Sequence, residues 1–471
     1  MKKFIFLIVV IFGIIICLPN CKKDLTDPDE GDTTDVISEA TKYVNNWIWD
    51  VMNQYYLWNI YIPQNLDPDT EKDPENFFEK LLYSKDRFSW IYDDYEGLMD
   101  QYNGVAKSTG YSPAFGRFSN TEGVFIIVEY VYPGSPADIA GLRRGDIILE
   151  INNVSLNMGN YLRLYNSLSQ TVTLGQFNGT SISLTDIKIS MTAEVIALDP
   201  SIYYEIKEIG GHKIGYLVYV EFTSGKDREY LYSLGEIFDT FSVAGITDLI
   251  VDFRYNPGGD DKAAGYFASA IAPASVVQNH DVLVRFEYNS SLYKYFLDNE
   301  GSDSPHLVYR FSDTANYFNL SKVYFLTTGG TASACEFTIS GLYPYRDVMD
   351  VVLVGENTYG KYTGAWIIPD LAEPPKHNWA LVPTVMKYAN KDGFTDFDEG
   401  LVADIKVEDD LINAVPFGSL NDSVLYKAVE DIVGSAQMPA KKASIKHVPY
   451  ERLENKFKDR RRNLFLPPVI K

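Results

Sequence analysis

From about residue 195 onward this chain repeats one plan: a short apolar run rich in β-branched residues, a turn built on glycine or proline, then a stretch with helical spacing. Strands are predicted at Lys213–Tyr219, Thr247–Phe253, Lys322–Thr327 and Val351–Val354, and helices at Asp227–Phe241, Asp260–Ile271 and Ala334–Tyr343. Strands that alternate with helices pack as an α/β layer around a mostly parallel sheet. That layer cannot be the whole molecule. A single core stops growing near ~250–300 residues. The chain has 471 residues, so two or three domains are expected.

Two segments precede the layer. Across 35–62, Val36, Ala40, Tyr43, Val44, Trp47, Val51, Met52 and Tyr55 recur mostly three and four apart, which predicts an amphipathic helix ended by Pro63. A shorter helix, Pro74–Tyr83, sets Phe77, Phe78, Leu81 and Leu82 on one face. Together they form a helical N-terminal domain over 35–105. From about 106 the pattern changes. Gly123–Val131 reads as a strand by its β-branched density. Pro133-Gly134 is a turn, and Ser135 caps a one-turn helix with Pro136 at its first position and Gly141 at its end. Arg144-Gly145-Asp146 then turns into the apolar strand Ile147–Ile151. The run 133–152 resembles the PDZ domain, and the resemblance covers 106–193. It implies a β-rich domain that takes a peptide as an added strand at a sheet edge, with the peptide's terminal carboxylate in a backbone nest. Tyr111–Phe118 falls where the carboxylate-binding loop is expected, without that loop's usual Gly-Leu-Gly-Phe form.

Three stretches of the α/β layer carry the candidate chemistry. In 322–341 an apolar strand ends at Thr327 or Thr328, Gly329-Gly330 turns, and a helix starts near Ala334. Ser333 therefore stands at the positive end of a helix, where backbone amides can hold a developing oxyanion. A plain helix cap would use serine as well. In 248–260 a buried strand runs into Arg254-Tyr255-Asn256-Pro257-Gly258-Gly259-Asp260, where glycines let backbone amides approach a ligand closely. In 351–364 a strand feeds a glycine-flanked loop that presents Lys361. A loop lysine is a solvated surface charge unless burial favours its neutral form.

Taken in order, Asp-x-Arg-x-Asn-x-Gly-Gly, Thr-Ala-Ser-Ala-x-Glu and Gly-Glu-x-Thr-x-Gly-Lys resemble the motifs of the S41-type, C-terminal processing (tail-specific) serine peptidases. The resemblance takes in the PDZ run and most of 200–410, including the closing Gly400–Val407 segment. It implies an α/β multidomain protein with a crotonase-like or ClpP-like protease core over 194–435. It further implies Ser333 as nucleophile, Lys361 as general base, and oxyanion amides at Ala334 and Gly258, with Gly259 the register alternative. A Ser-Lys dyad is one variant of nucleophile-plus-base chemistry, and it calls for no metal and no cofactor. The implied partner is a polypeptide, bound by its C-terminus in the PDZ-like groove and cleaved through an acyl-enzyme. Two positions depart from the family pattern. Ala365 stands where processing members carry Gln, so a hydroxyl of Thr363 or Tyr359 would have to orient Lys361. Cys335 replaces a serine and reads as a small buried side chain. A rival reading follows from the first departure: a non-catalytic, PDZ-containing surface peptide binder that kept the fold.

The ends add location. Lys2 and Lys3 precede the apolar run Phe4–Leu18. That run is shorter than the ~20 residues of a membrane-spanning helix and reads as a secretory signal. It ends in Leu18-Pro19-Asn20-Cys21, which resembles a bacterial lipobox, with residues 1–21 as the signal and Cys21 as the acylated position. The polar, acidic stretch 22–34 is a flexible tether, similar to those of some Bacteroidetes surface lipoproteins. The expected location is the cell envelope: the outer membrane, held by lipid, facing the periplasm or the outside. Cys17 leaves with the signal, so Cys335 has no partner for an intrachain disulfide. A net charge of −22 argues against nucleic acid as a partner. After 436 the chain turns basic, with Lys441, Lys442, Lys446, Arg452 and Arg460–Arg462, and reads as a surface tail able to dock on the acidic body. Ser291–Lys294 matches the Ser-x-x-Lys spacing of penicillin-binding enzymes but lacks their partner motifs. The histidines are scattered without a zinc spacing.

Overall fold

A computed structural model describes residues 37–102, 107–118, 122–313, 318–439, 450–453 and 464–465. The signal, Cys21, the tether and most of the basic tail lie outside these described residues. No described helix is long and apolar enough to cross a membrane.

The alternating plan builds a six-stranded sheet in the order Ser201–Ile209, His212–Tyr219, Asp248–Asp252, Lys322–Thr327, Asp350–Gly355, Ile405–Lys406. The first two strands form an antiparallel hairpin, and every later pair is parallel. Side chains alternate between faces. Leu217, Leu249, Val251, Phe325 and Leu353 face a core shared with the helices Glu229–Ala244, Asp261–Ile271 and Ala334–Leu342. Tyr216, Val218, Ile250, Tyr324 and Val352 face the opposite core, made with the helix Ser423–Val433 and with Phe125, Ile127 and Tyr130 of the PDZ-like unit. Leu249 and Leu353 are fully buried, and truncating either to Ala would cost about 2–5 kcal/mol. The helix expected at Asp227–Phe241 runs from Glu229 to Ala244, because Arg228 takes a positive φ before it and Gly245 ends it in the left-handed region.

The N-terminal helices do not have a core of their own. Val44, Ile48, Met52, Phe77 and Leu81 lie in the same apolar cluster as Leu217, Phe238 and Leu353. Trp90–Tyr92 pairs antiparallel with Ala380–Val382. The first helix, Glu39–Tyr55, starts on a Ser38 cap, whose hydroxyl accepts from Thr41 N–H at 3.0 Å. It stops well before Pro63. The reason is tertiary: Leu57 N–H donates to Thr384 O at 2.9 Å, and the Tyr56 hydroxyl donates to Asp86 at 2.8 Å. A single 3-10 turn, Asn59–Tyr61, follows. The second helix, Pro74–Leu81, begins on Asp73.

The PDZ-like unit has its own sheet, in the order Tyr111–Arg117, Phe125–Val131, Ile147–Ile151, Ser169–Phe177, Ile182–Thr192. Two short helices, Pro136–Ala140 and Tyr161–Tyr165, pack on it. Gly141 ends the first at φ 93°, a region that favours glycine. One expectation fails here. Tyr111–Phe118, read as a binding loop, is the strand Tyr111–Arg117, buried at every position except Arg117. Pro113 and Gly116 disguise it, since both are depleted in strands. Proline fits because this strand is paired by the domain's own sheet on one side only.

Candidate active site

Asp248–Asp252, Lys322–Thr327 and Asp350–Gly355 lie side by side and parallel, so the loops after them emerge together. Ligand crevices in such sheets open outside the carboxyl ends of the strands. The three motifs named above are these three loops. Ser333 caps the helix Ala334–Leu342 at φ 56° and ψ −107°. A non-glycine residue held there stores of order 1–3 kcal/mol of strain. Ser333 is fully buried, and its Oγ has no hydrogen-bond partner among the described residues. Burying an unpaired hydroxyl is unfavourable, so this position is held by its surroundings against two penalties.

Glu336 is a large part of those surroundings. Its Oε2 accepts from Ser333 N–H at 2.8 Å and from Lys361 N–H at 2.8 Å. Its Oε1 accepts from Gly360 N–H at 2.7 Å and from the Thr358 hydroxyl. One carboxylate thereby ties the backbone of the serine loop to that of the lysine loop. Burial pushes its carboxyl up despite these four donors. Tyr388 makes the same connection from the other side: its hydroxyl reaches Ser333 O at 3.2 Å and Lys361 O at 3.1 Å. Lys361 is only 1% exposed. Its Nζ stands 4.3 Å from the centre of the Phe88 ring, a cation–π distance. Phe88 belongs to the N-terminal segment, which therefore walls the site. Of the two hydroxyls expected near Lys361, that of Thr363 is buried without a partner, and the Tyr359 ring packs beneath Arg87 at 4.9 Å. Ala365 is buried in the short strand Thr363–Ala365.

The glycine loop closes the third side. A Cβ on Gly258, whose φ is 110°, would lie 2.7 Å from Ser333 Cβ and 3.0 Å from Ala334 N. Only glycine permits that approach. Gly258 N–H donates to Asn256 Oδ1 at 2.9 Å, and Asn256 Nδ2 in turn donates to Tyr219 O at 3.0 Å. Ala334 N–H is the first of its helix, where no intrahelical acceptor exists. Behind the loop, fully buried Arg254 pairs with Asp252 at 2.7 Å, Asp409 at 2.8 Å and Asp422 at 2.8 Å. Burial alone would raise the Asp409 carboxyl, yet Arg254 and Arg144 hold it below the usual carboxylate range. Arg144, from the PDZ-like unit, donates to the Tyr255 hydroxyl at 2.7 Å, and that hydroxyl donates to Asp409 at 2.7 Å. The glycine loop is thus clamped to the neighbouring domain. Cys335 is fully buried, its thiol donates to Asn256 O at 3.4 Å, and burial pushes that thiol well up. It has no nucleophilic character there.

Gly258 is therefore packed against Ser333 and Ala334, and the backbone of Lys361 is tied to that of Ser333 through Glu336 and Tyr388, although these residues come from three loops. Sequence reasoning missed Glu336, Tyr388 and Phe88. The first had a signal: Ser333-x-x-Glu336 has the spacing of a capping box. The other two had none, because they reach the site only through tertiary packing. Among the described residues no group of His, Cys, Asp and Glu side chains is arranged to hold a metal ion.

Comparison with known proteins identifies the domains that carry these loops. Residues 43–90 match the peptidase S41 N-terminal domain, 127–173 the PDZ domain, and 213–407 peptidase family S41. A carboxyl-terminal-processing protease of Picosynechococcus is 24% identical over 86% of this chain and 90% of its own length. Among solved structures, a putative S41 protease from Bacteroides fragilis superposes with TM-score 0.67 at 27% identity, covering 82% of this chain and 97% of that one. The photosystem II D1 C-terminal processing protease shares the fold at TM-score 0.50 and 17% identity, over 85% of this chain and 99% of that one.

Proposed function

Because this chain is a member of the S41 peptidases, with that family's N-terminal and peptidase domains and a PDZ domain, we propose that it is a serine endopeptidase acting on protein tails or unstructured polypeptide. The observation that carries this reading is the strained, fully buried Ser333 with an unpartnered hydroxyl, tied through Glu336 to the backbone of Lys361.

In this mechanism the neutral Lys361 amine takes the proton of Ser333 Oγ as that oxygen attacks the scissile carbonyl. The tetrahedral oxyanion forms against backbone amides, and its collapse expels the amine, which leaves with the proton from Lys361. Water then repeats the sequence on the acyl-enzyme. Burial favours a neutral amine in general, and Lys361 is buried. We assign the oxyanion amides to Ala334 and Gly259, because Gly258 N–H is already engaged by Asn256. The Thr363 hydroxyl makes no hydrogen bond here, so it does not hold Lys361 as the missing glutamine would. The protein is anchored in the cell envelope through Cys21.

A fluorophosphonate probe tests the nucleophile directly. Wild type is expected to be labelled and Ser333→Ala is not. In peptide hydrolysis, Ser333→Ala, Lys361→Ala and the double variant should lose activity to a similar extent, since groups acting as a unit are not additive. Lys361→Arg should also be inactive, because a guanidinium stays protonated. Wild-type hydrolysis by folded Lys361→Ala would remove the dyad. A wild type that neither reacts with the probe nor hydrolyses would make the chain a peptide binder.

A further inference from the structure

The PDZ-like sheet has an edge strand, Tyr111–Arg117, and the chain's own C-terminal segment lies on it. Glu451 sits opposite Arg117 and Arg452 opposite Gly116, antiparallel, and Leu453 N–H donates to Phe115 O at 3.0 Å. We propose that residues 450–453 are an internal ligand of this edge, which a substrate polypeptide must displace before the PDZ-like unit can present it. The proposal rests on the peptidase reading and adds its regulation.

Side chains make the pairing specific. Leu453 packs on the apolar core of the PDZ-like unit, the cluster of Phe115, Ile126 and Leu164. The Tyr450 ring lies 5.4 Å from that of Phe125 and occupies the space that Gly116 leaves, since a Cβ there would come within 2.7 Å of it. Arg117 holds the Glu451 carboxylate with two bonds, at 2.7 and 3.0 Å. Arg452 carries its charge into the field of Glu129 and Asp409, so the acidic body attracts the basic tail, as its composition suggests.

The segment takes the positions that an added strand would need. Along Tyr111–Arg117, alternate residues point their backbone groups outward. Phe115 O points outward, to Leu453, and so does the backbone of Pro113, which has no N–H to offer. The edge can therefore exchange bonds fully only around residues 115 and 117, the stretch that 451–453 covers. Substrate and tail cannot both pair there. The same tail reaches the catalytic layer, where Leu464–Phe465 pairs in parallel with Gly364–Ala365, on the strand that follows Lys361. A segment tethered to its own site binds within the molecule, at an effective concentration that a free peptide must exceed. Weak contacts therefore suffice to hold it, and the exposed Arg117–Glu451 pair contributes little to that. Such a ligand excludes scarce or weakly binding tails and yields to abundant or tightly binding ones.

The test uses a fluorescent peptide with the sequence of residues 447–456, added to the full-length protein carrying Ser333→Ala, so that binding is read without hydrolysis. Failure of the peptidase reading leaves this readout intact. Full-length protein should bind the probe at least tenfold more weakly than a chain ending at residue 439, or than full-length Leu453→Asp. A second variant guards against misfolding of either one. Arg117→Cys with Glu451→Cys places two cysteines on directly opposite residues, a spacing a disulfide accepts. Oxidised, it should bind no probe, and reduction should restore binding to the full-length level or above. Equal binding by full-length protein, Leu453→Asp and both redox states of the locked variant would overturn the proposal, as would absence of probe binding to a folded chain ending at residue 439.

Discussion

Replacing Glu336 separates a structural tie from a bystander. Its four accepted bonds come from the amides of Ser333, Gly360 and Lys361 and from the Thr358 hydroxyl. Glu336→Gln keeps the shape but turns one oxygen into a donor. The amide nitrogen will settle at the Oε1 position, because Thr358 can rotate its hydroxyl and accept there. Gly360 N–H cannot, so one bond to a charged acceptor is lost, at about 1.5–3 kcal/mol. Glu336→Ala leaves all four donors without an acceptor, at about 1–3 kcal/mol each. Relief from burying a carboxylate offsets several kcal/mol of that sum, and the net loss is about 3–5 kcal/mol. With an m-value near ~3 kcal/mol/M in urea, the midpoint should fall by about 1 M or more for Ala and by about 0.5–1 M for Gln, followed by tryptophan fluorescence. Ser333 and Lys361 remain joined by the Gln oxygen, so Gln should retain most hydrolysis. Ala should lose roughly a hundredfold, the effect of an ångström-scale misplacement. An Ala variant with an unchanged midpoint and unchanged kcat would refute the tie.

Other expectations follow from buried charge and from the chain's beginning. Burial, and after it Asp260, pushes the Asp261 carboxyl up to about 8. Between about pH 4 and 8 the folded state then holds a proton that the unfolded state has released, so stability falls as pH rises through that window. Asp261→Asn should gain on wild type steadily from pH 4.5 to 8.5, by at most about 5 kcal/mol, and a constant gap in denaturation midpoints would contradict this. Arg254→Met should lower stability by about 3–5 kcal/mol, because it strands three buried carboxylates; partial recovery at pH 4, where those groups protonate, is the check. Fatty-acid labelling of the expressed protein should disappear in Cys21→Ala, and undiminished labelling would exclude that anchor.

What could be read from the residues depended on where the determining contacts lie. The central strands were legible because strands such as Leu249–Val251 and Val323–Leu326 are buried on both faces, which writes a continuous apolar run into the chain. The loops that form the site were legible through the order of their motifs, although Ser333, Lys361 and Gly258 taken singly were not. The end of the first helix was not, because what stops it is an acceptor at Thr384 and no local breaker. Nor was the strand Tyr111–Arg117, where Pro113 and Gly116 interrupt the alternation and burial comes from neighbours on both sides. The pairing of Glu451–Arg452 is too short to leave any periodic trace.

The seam between the chain's beginning and its later half has a consequence for how the molecule is made. Leu57 waits for Thr384, Tyr56 O for the Asn289 side chain, and Trp90–Tyr92 for Ala380–Val382. The first segment to emerge from synthesis or export is thus the last to find its partners, and isolated helices of this length are marginal in water. Until the later strands and helices that share their cluster arrive, Val44, Ile48, Phe77 and Phe78 are only partly covered, and such surfaces are what chaperones and degradative proteases engage. A chain halted short of that point displays its incompleteness at the end that appeared first.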